Sequence, residues 1–176
     1  EKILFKLDWN ISDSQRAFAS YQFTEGNSLS ASDHSGTRFA YLSHWYNRSE
    51  KLQAYNFQLF SDWSDNFSTE VKVGYKKNVT GQVGLAEDQG IGEIQVQTEG
   101  GGRVYIGVDD SRHSNALNNK TLQIKLKGDY LWNDHTFTGG YERDSVDVFN
   151  QFIQRTRGIW HFDSIAEFAA GTPDTF

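Results

Sequence analysis

The sequence predicts an all-β chain, an antiparallel meander of about six amphipathic strands arranged as three hairpins. Six runs alternate apolar and polar residues with period two, which puts an apolar medium on one face of each strand and water on the other. Within each pair the runs are joined by three or four polar residues, as in tight hairpins. Between pairs the connections are long and rich in Ser, Asn and Gly.

The first hairpin opens with "KILFKLDWNI", where Ile3, Phe5, Leu7, Trp9 and Ile11 share one parity and Lys2, Lys6, Asp8 and Asn10 the other. "SDSQ" turns the chain, and "RAFASYQFTE" returns it with Ala17, Ala19, Tyr21 and Phe23 against Arg16, Ser20, Gln22 and Thr24. In the second hairpin Tyr55, Phe57, Leu59 and Trp63 lead into the turn "SDN". Phe67, Val71, Val73 and Tyr75 then come back opposite Glu70, Lys72 and Lys76. The third hairpin sets Leu122, Ile124, Leu126 and Tyr130 against Gln123, Lys125, Lys127 and Asp129. It turns through Asn133-Asp134-His135 and returns with Phe137 and Tyr141. The expected strands lie near 2–11, 16–25, 51–63, 67–77, 120–132 and 136–147, paired in sequence order.

The whole of 1–176 reads as a single β-barrel segment with long loops at about 25–50, 78–119 and 148–176. The second loop contains a small hairpin of its own, "EIQVQTE" and "RVYIGV", hinged on Gly100-Gly101-Gly102. No helix follows that triple glycine, so it suits a hairpin tip better than a phosphate cradle. The third loop ends in a short helix, "SIAEFAAG", with Ser164 placed to cap its start and Gly171 and Pro173 to end it.

Composition narrows the function classes. With 176 residues the chain is long enough for one domain with a core. Its 17 basic and 23 acidic residues give a formal charge of −6 with no basic stripe, which argues against a nucleic-acid partner. There is no cysteine, which weighs against a disulfide-stapled secreted domain. The absence of methionine raises the expectation of a mature or excised segment of something longer. Aromatics make up 15% of residues, yet the mean hydropathy is −0.64. No apolar run approaches the roughly 20 residues of a membrane-crossing helix. A membrane-crossing strand needs only about 10 alternating residues, so a barrel escapes that test.

Short turns at one end and long polar connections at the other is the asymmetry of outer-membrane barrels. Trp9, Trp63 and Trp132 stand beside the short turns, and Tyr75 and Tyr141 toward the long loops. Aromatics at both ends of an apolar band suit the two headgroup regions. An amphipathic sheet on a soluble core alternates in the same way, so a soluble β-sandwich ligand-binding module, such as a carbohydrate binder, stays open beside the membrane barrel. The direction in which the apolar parity faces separates the two.

The stretches "QLFSDWSDNFSTEVKVGYKK", "VYIGVDDSRHSNALNNKTLQIKLKGDY" and "GYERDSVDVFNQFIQ" resemble the barrel region of Oar-like TonB-dependent receptors, large outer-membrane proteins of Gram-negative bacteria. The resemblance covers most of the chain and thins over residues 25–50. It implies a barrel of about 22 strands around a plug domain that precedes this segment. This chain carries neither plug nor TonB box and would be an early stretch of barrel wall. The partners implied are outer-membrane lipid, the plug and the TonB system, and an unknown small ligand or peptide. Six strands leave two free edges, which lipid does not satisfy, so an isolated fragment is expected to self-associate or rearrange.

No catalytic signature is present: no G-x-S-x-G, no H-E-x-x-H, no Walker loop and no cysteine nucleophile. The chain is therefore not expected to be an enzyme, nor to hold a tight metal or cofactor. "DDSRH" is the densest polar cluster. Asp109 and Asp110, with Asn115 nearby, have oxygens suited to calcium, and Arg112 and His113 suit an anion. The simpler reading is that Asp109 and Ser111 cap a turn. Trp160 and His161 belong to an aromatic stretch with Phe149, Phe152 and Phe162, suited either to ligand capture in an outer loop or to packing on the short helix. Five N-x-S/T sequons, at Asn10, Asn47, Asn66, Asn78 and Asn119, are discounted as products of an Asn-, Ser- and Thr-rich composition.

Overall fold

The structure, a computed structural model, describes residues 1–175 apart from the Asp88 side chain. It is all-β with one short helix. In chain order the strands are β1 (Lys2–Ser12), β2 (Gln15–Ser30), β3 (Arg38–Ala40), β4 (Tyr46–Ser64), β5 (Phe67–Gly84), β6 (Glu93–Gln97), β7 (Arg103–Ile106), β8 (Asn115–Trp132), β9 (His135–Phe152) and β10 (Ile159–Phe162). Helix α1 is Ile165–Ala170.

The six expected strands are β1, β2, β4, β5, β8 and β9, and they form one antiparallel meander in that order. The sheet does not close: β1 and β9 are its edges. Five of the strands run further than the alternation reached, to between 16 and 19 residues. The hairpin turns are tighter than expected, two residues each, at 13–14, 65–66 and 133–134. Asn133 takes a positive φ of 52°, a conformation Asn tolerates better than most side chains. In the first hairpin Phe5 faces Tyr21, Leu7 faces Ala19 and Trp9 faces Ala17, with a register shift between Asn10 and Ser12.

The chain divides into two compact units. The first comprises Glu1–Gly26, Lys51–Val79 and Asn118–Val148. Its contacts sort the two parities as the sequence requires. On one face the rings of Tyr21 and Tyr55 lie 4.9 Å apart, and those of Tyr55 and Tyr75 6.3 Å apart. Phe5, Phe57 and Val73 line the same apolar groove, of about 350 Å³. On the other face Asn56 donates to Ser20 Oγ at 3.3 Å and Gln58 to Glu70 at 2.6 Å, and Lys125 reaches Glu70 at 3.9 Å. Gly74 lies on this polar face, where an added Cβ would touch Asn56 and Gln123.

This unit has almost no interior. Among its described residues only Ala17, Ser61 and Gly74 are buried. Phe5 is 60% exposed and Phe57 44%. A single sheet of this kind has nothing to pack its apolar face against, which is the reverse of how soluble layered domains are built.

The second unit comprises Asn27–Glu50, Thr80–Leu117 and the chain from Phe149 onward. It holds a four-stranded sheet in the order β10-β6-β7-β3. The expected extra hairpin is β6 and β7, antiparallel with Val96 opposite Val104, and Gly100 and Gly101 at its tip both take a φ of 82°. β3 and β10 were not anticipated, and they add parallel to β7 and β6. Unlike the first unit, this one has a core: Ala40, Ala86, Val96, Tyr105, Val108, Ile159 and Phe162 are buried. Close backbone packing depends on glycine, since a Cβ on Gly107 would collide with Gly92 O. Ser164 caps α1 by accepting from Glu167 N at 3.2 Å, and Gly171 ends it in the left-handed conformation. Phe162 packs on the helix through Phe168, with ring centres 5.2 Å apart.

Candidate functional site

The polar cluster at 109–113 follows β7 and forms one tight turn. Asp109 caps it: its Oδ1 accepts from Ser111 N at 2.8 Å, as the turn reading of this stretch expects. Asp110 accepts from Ser111 Oγ at 2.8 Å and pairs with Arg155 at 3.2 Å. Capping occupies one oxygen of Asp109 and leaves its carboxylate within reach of other groups.

Three residues not singled out in the sequence join this turn. Glu93, at the start of β6, accepts from Asp110 N at 2.7 Å and from the Gln95 amide. His44 ends a short turn after β3, and its Nε2 lies 3.2 Å from Asp33 Oδ2. Carboxylate oxygens of Glu93, Asp109 and Asp110 lie within 4.8 Å of one another. So do a ring nitrogen of His44 and oxygens of Asp33 and Asp109. Asp109 is common to both groups. His44 is 0% exposed, Glu93 3% and Asp109 6%. Burial pushes the Glu93 carboxyl above its usual range, opposed by its bonds from Gln95 and Asp110 N and by His44 nearby.

The other candidates take different places. His113 is a structural residue: Nε2 meets Val108 O at 2.9 Å and Nδ1 accepts from Arg157 N at 3.2 Å. With Nε2 donating, both ring nitrogens are satisfied and neither is free for a ligand. Arg112 lies over the Tyr46 ring at 4.5 Å, a cation–π contact. Trp160 and His161 are consecutive in β10, so they point to opposite sides of their sheet. His161 lines an open cleft of about 720 Å³ with Arg155, Arg157 and Thr175. Arg157 is held by Glu87, and Arg155 ties this cleft to Asp110. Phe149 and Phe152 are exposed and belong to neither site.

The structure thus brings Asp109 and Asp110 together with Asp33, His44 and Glu93, and leaves Arg112, His113, Trp160 and His161 outside that cluster. No family model, curated protein or solved structure matches the chain.

Proposed function

We propose that the chain is a section of outer-membrane barrel wall from a receptor of the TonB-dependent class it resembles. The observation that carries this reading is the first unit's apolar face: aromatic and aliphatic, continuous across β1, β2, β4 and β5, and exposed. An apolar surface of that extent is not tolerated on a soluble monomer, and acyl chains are the medium that suits it. The polar face, with its Asn56, Glu70, Gln123 and Lys125, suits a wet lumen. The edges β1 and β9 present unpaired backbone groups, which further barrel strands would satisfy. In this reading the second unit belongs to the outer loops that meet a small ligand or peptide. The plug and the TonB system act through the complete receptor, and no chemistry is asked of this chain.

Vesicle flotation tests the reading. Refolded in the presence of dimyristoylphosphatidylcholine vesicles, the chain is expected to float with lipid while keeping its β circular dichroism, with a blue-shifted tryptophan emission. A folded monomer that stays in the vesicle-free fraction would overturn it.

A further inference from the structure

We infer that the second unit carries a divalent transition-metal site with His44, Asp33 and Asp109 as ligands, flanked by Glu93 and Asp110. This does not rest on the membrane reading, because every residue in it belongs to the second unit.

Charge is the first argument. Asp33 is offset by Arg38 at 3.2 Å and Asp110 by Arg155 at 3.2 Å. Glu93 and Asp109 are the more deeply buried carboxylates, yet among the described residues only neutral groups hydrogen-bond to them: Gln95 and Asp110 N for the first, Ser111 N for the second. One imidazole, His44, stands beside these two buried carboxylates, and a divalent cation among them would offset the cost of burying that charge.

The imidazole is the independent argument. His44 is completely buried, a ring nitrogen lies within 4.8 Å of both the Asp33 and Asp109 oxygens, and its Nδ1 has no hydrogen-bond partner. The nitrogen shown against an acid is Nε2, 3.2 Å from Asp33 Oδ2, and a buried imidazole beside two carboxylates is a donor set that suits a shared metal ion. The segment that carries the ring is held in place, and Tyr105 packs beside the ring itself. Ser32 Oγ donates to His44 O at 3.1 Å, Gly107 N donates to Ser43 Oγ at 3.1 Å, and Tyr105 lies 5.2 Å from the ring.

The donor set selects the metal. Calcium and magnesium take oxygen shells, whereas imidazole with carboxylates suits zinc, manganese or iron(II). Bonds of about 2.0–2.2 Å require the ligand atoms to draw a little closer around the ion, a side-chain movement only. The site was not legible as spacing, and zinc binding there would overturn the expectation of no tight metal.

The test is a zinc titration of the whole chain against a chromophoric chelator, with circular dichroism to check folding. One zinc per chain is expected, not displaced by excess calcium, with a rise in melting temperature. Asp109→Asn keeps the oxygen that accepts from Ser111 N, so the turn survives, but zinc affinity should fall at least about tenfold, as should that of His44→Gln. His135→Ala, in the β8–β9 hairpin, should leave it unchanged. No binding, binding of equal strength in Asp109→Asn, loss in His135→Ala, or displacement by calcium would each overturn the assignment.

Discussion

If the first unit is the proposed barrel wall, Leu59→Arg is expected to lower the stability of the sheet in vesicles by about 2–4 kcal/mol, the penalty for a cation near the bilayer midplane. Leu59 lies on β4 on the same parity as Tyr55 and Phe57, between the tyrosine row and the turn-side Trp63. The penalty should depend on depth. Thr69 accepts from Trp63 Nε1 at 2.8 Å beside the short turn, so Thr69→Arg should cost only about 0–1 kcal/mol. Lys72→Leu, of the opposite parity, should disturb the sheet less than Leu59→Arg does. Denaturant titration in vesicles reads all three. Equal costs at Leu59 and Thr69 would indicate a protein core, which has no depth gradient, in place of lipid.

His113→Phe is expected to destabilise the second unit by about 1–3 kcal/mol, because it orphans the buried Val108 O and takes the acceptor from the half-buried Arg157 N. The imidazole bridges Val108 O and Arg157 N, joining the turn after β7 to the loop before β10. His113 is 5% exposed and Val108 wholly buried, so water does not replace the bond to Val108 O. Hydrogen exchange at the Arg157 amide should accelerate in step with the loss of stability. A change below about 1 kcal/mol would show that the histidine is not the strut the geometry makes it.

The six long strands were legible because alternation is a local property, recorded in each run whatever it pairs with. Their extra length was not. "NSLS" at the end of β2 and "NVTGQVG" at the end of β5 lack a clean apolar parity, and neighbouring strands hold them in the ladder. β3 and β10 were missed for a related reason. Three or four residues cannot display a period, and both join strands distant in sequence, in parallel, which no turn signal announces. The β6–β7 hairpin and the Ser164 cap were readable because glycine and serine act through their own backbone neighbours.

At the candidate site the sequence pointed to Asp109 and Asp110 through local polar density. It could not point to Asp33, His44 and Glu93, which come from separate segments and meet only in the fold. His113 shows the converse: a histidine in a polar cluster suggested anion binding, whereas burial made it a strut.

In the proposed barrel wall the apolar parity of the first unit faces lipid and the polar parity faces water. Nitroxide labels placed singly at residues 55 to 59 of β4, in the chain reconstituted in vesicles, test it most directly. Collision with oxygen, which concentrates in lipid, should be high at Tyr55, Phe57 and Leu59. Collision with a water-soluble nickel chelate should be high at Asn56 and Gln58. The two profiles are expected to alternate residue by residue and in opposite phase; profiles in the same phase, or oxygen maxima at Asn56 and Gln58, would rule out a lipid-facing apolar parity.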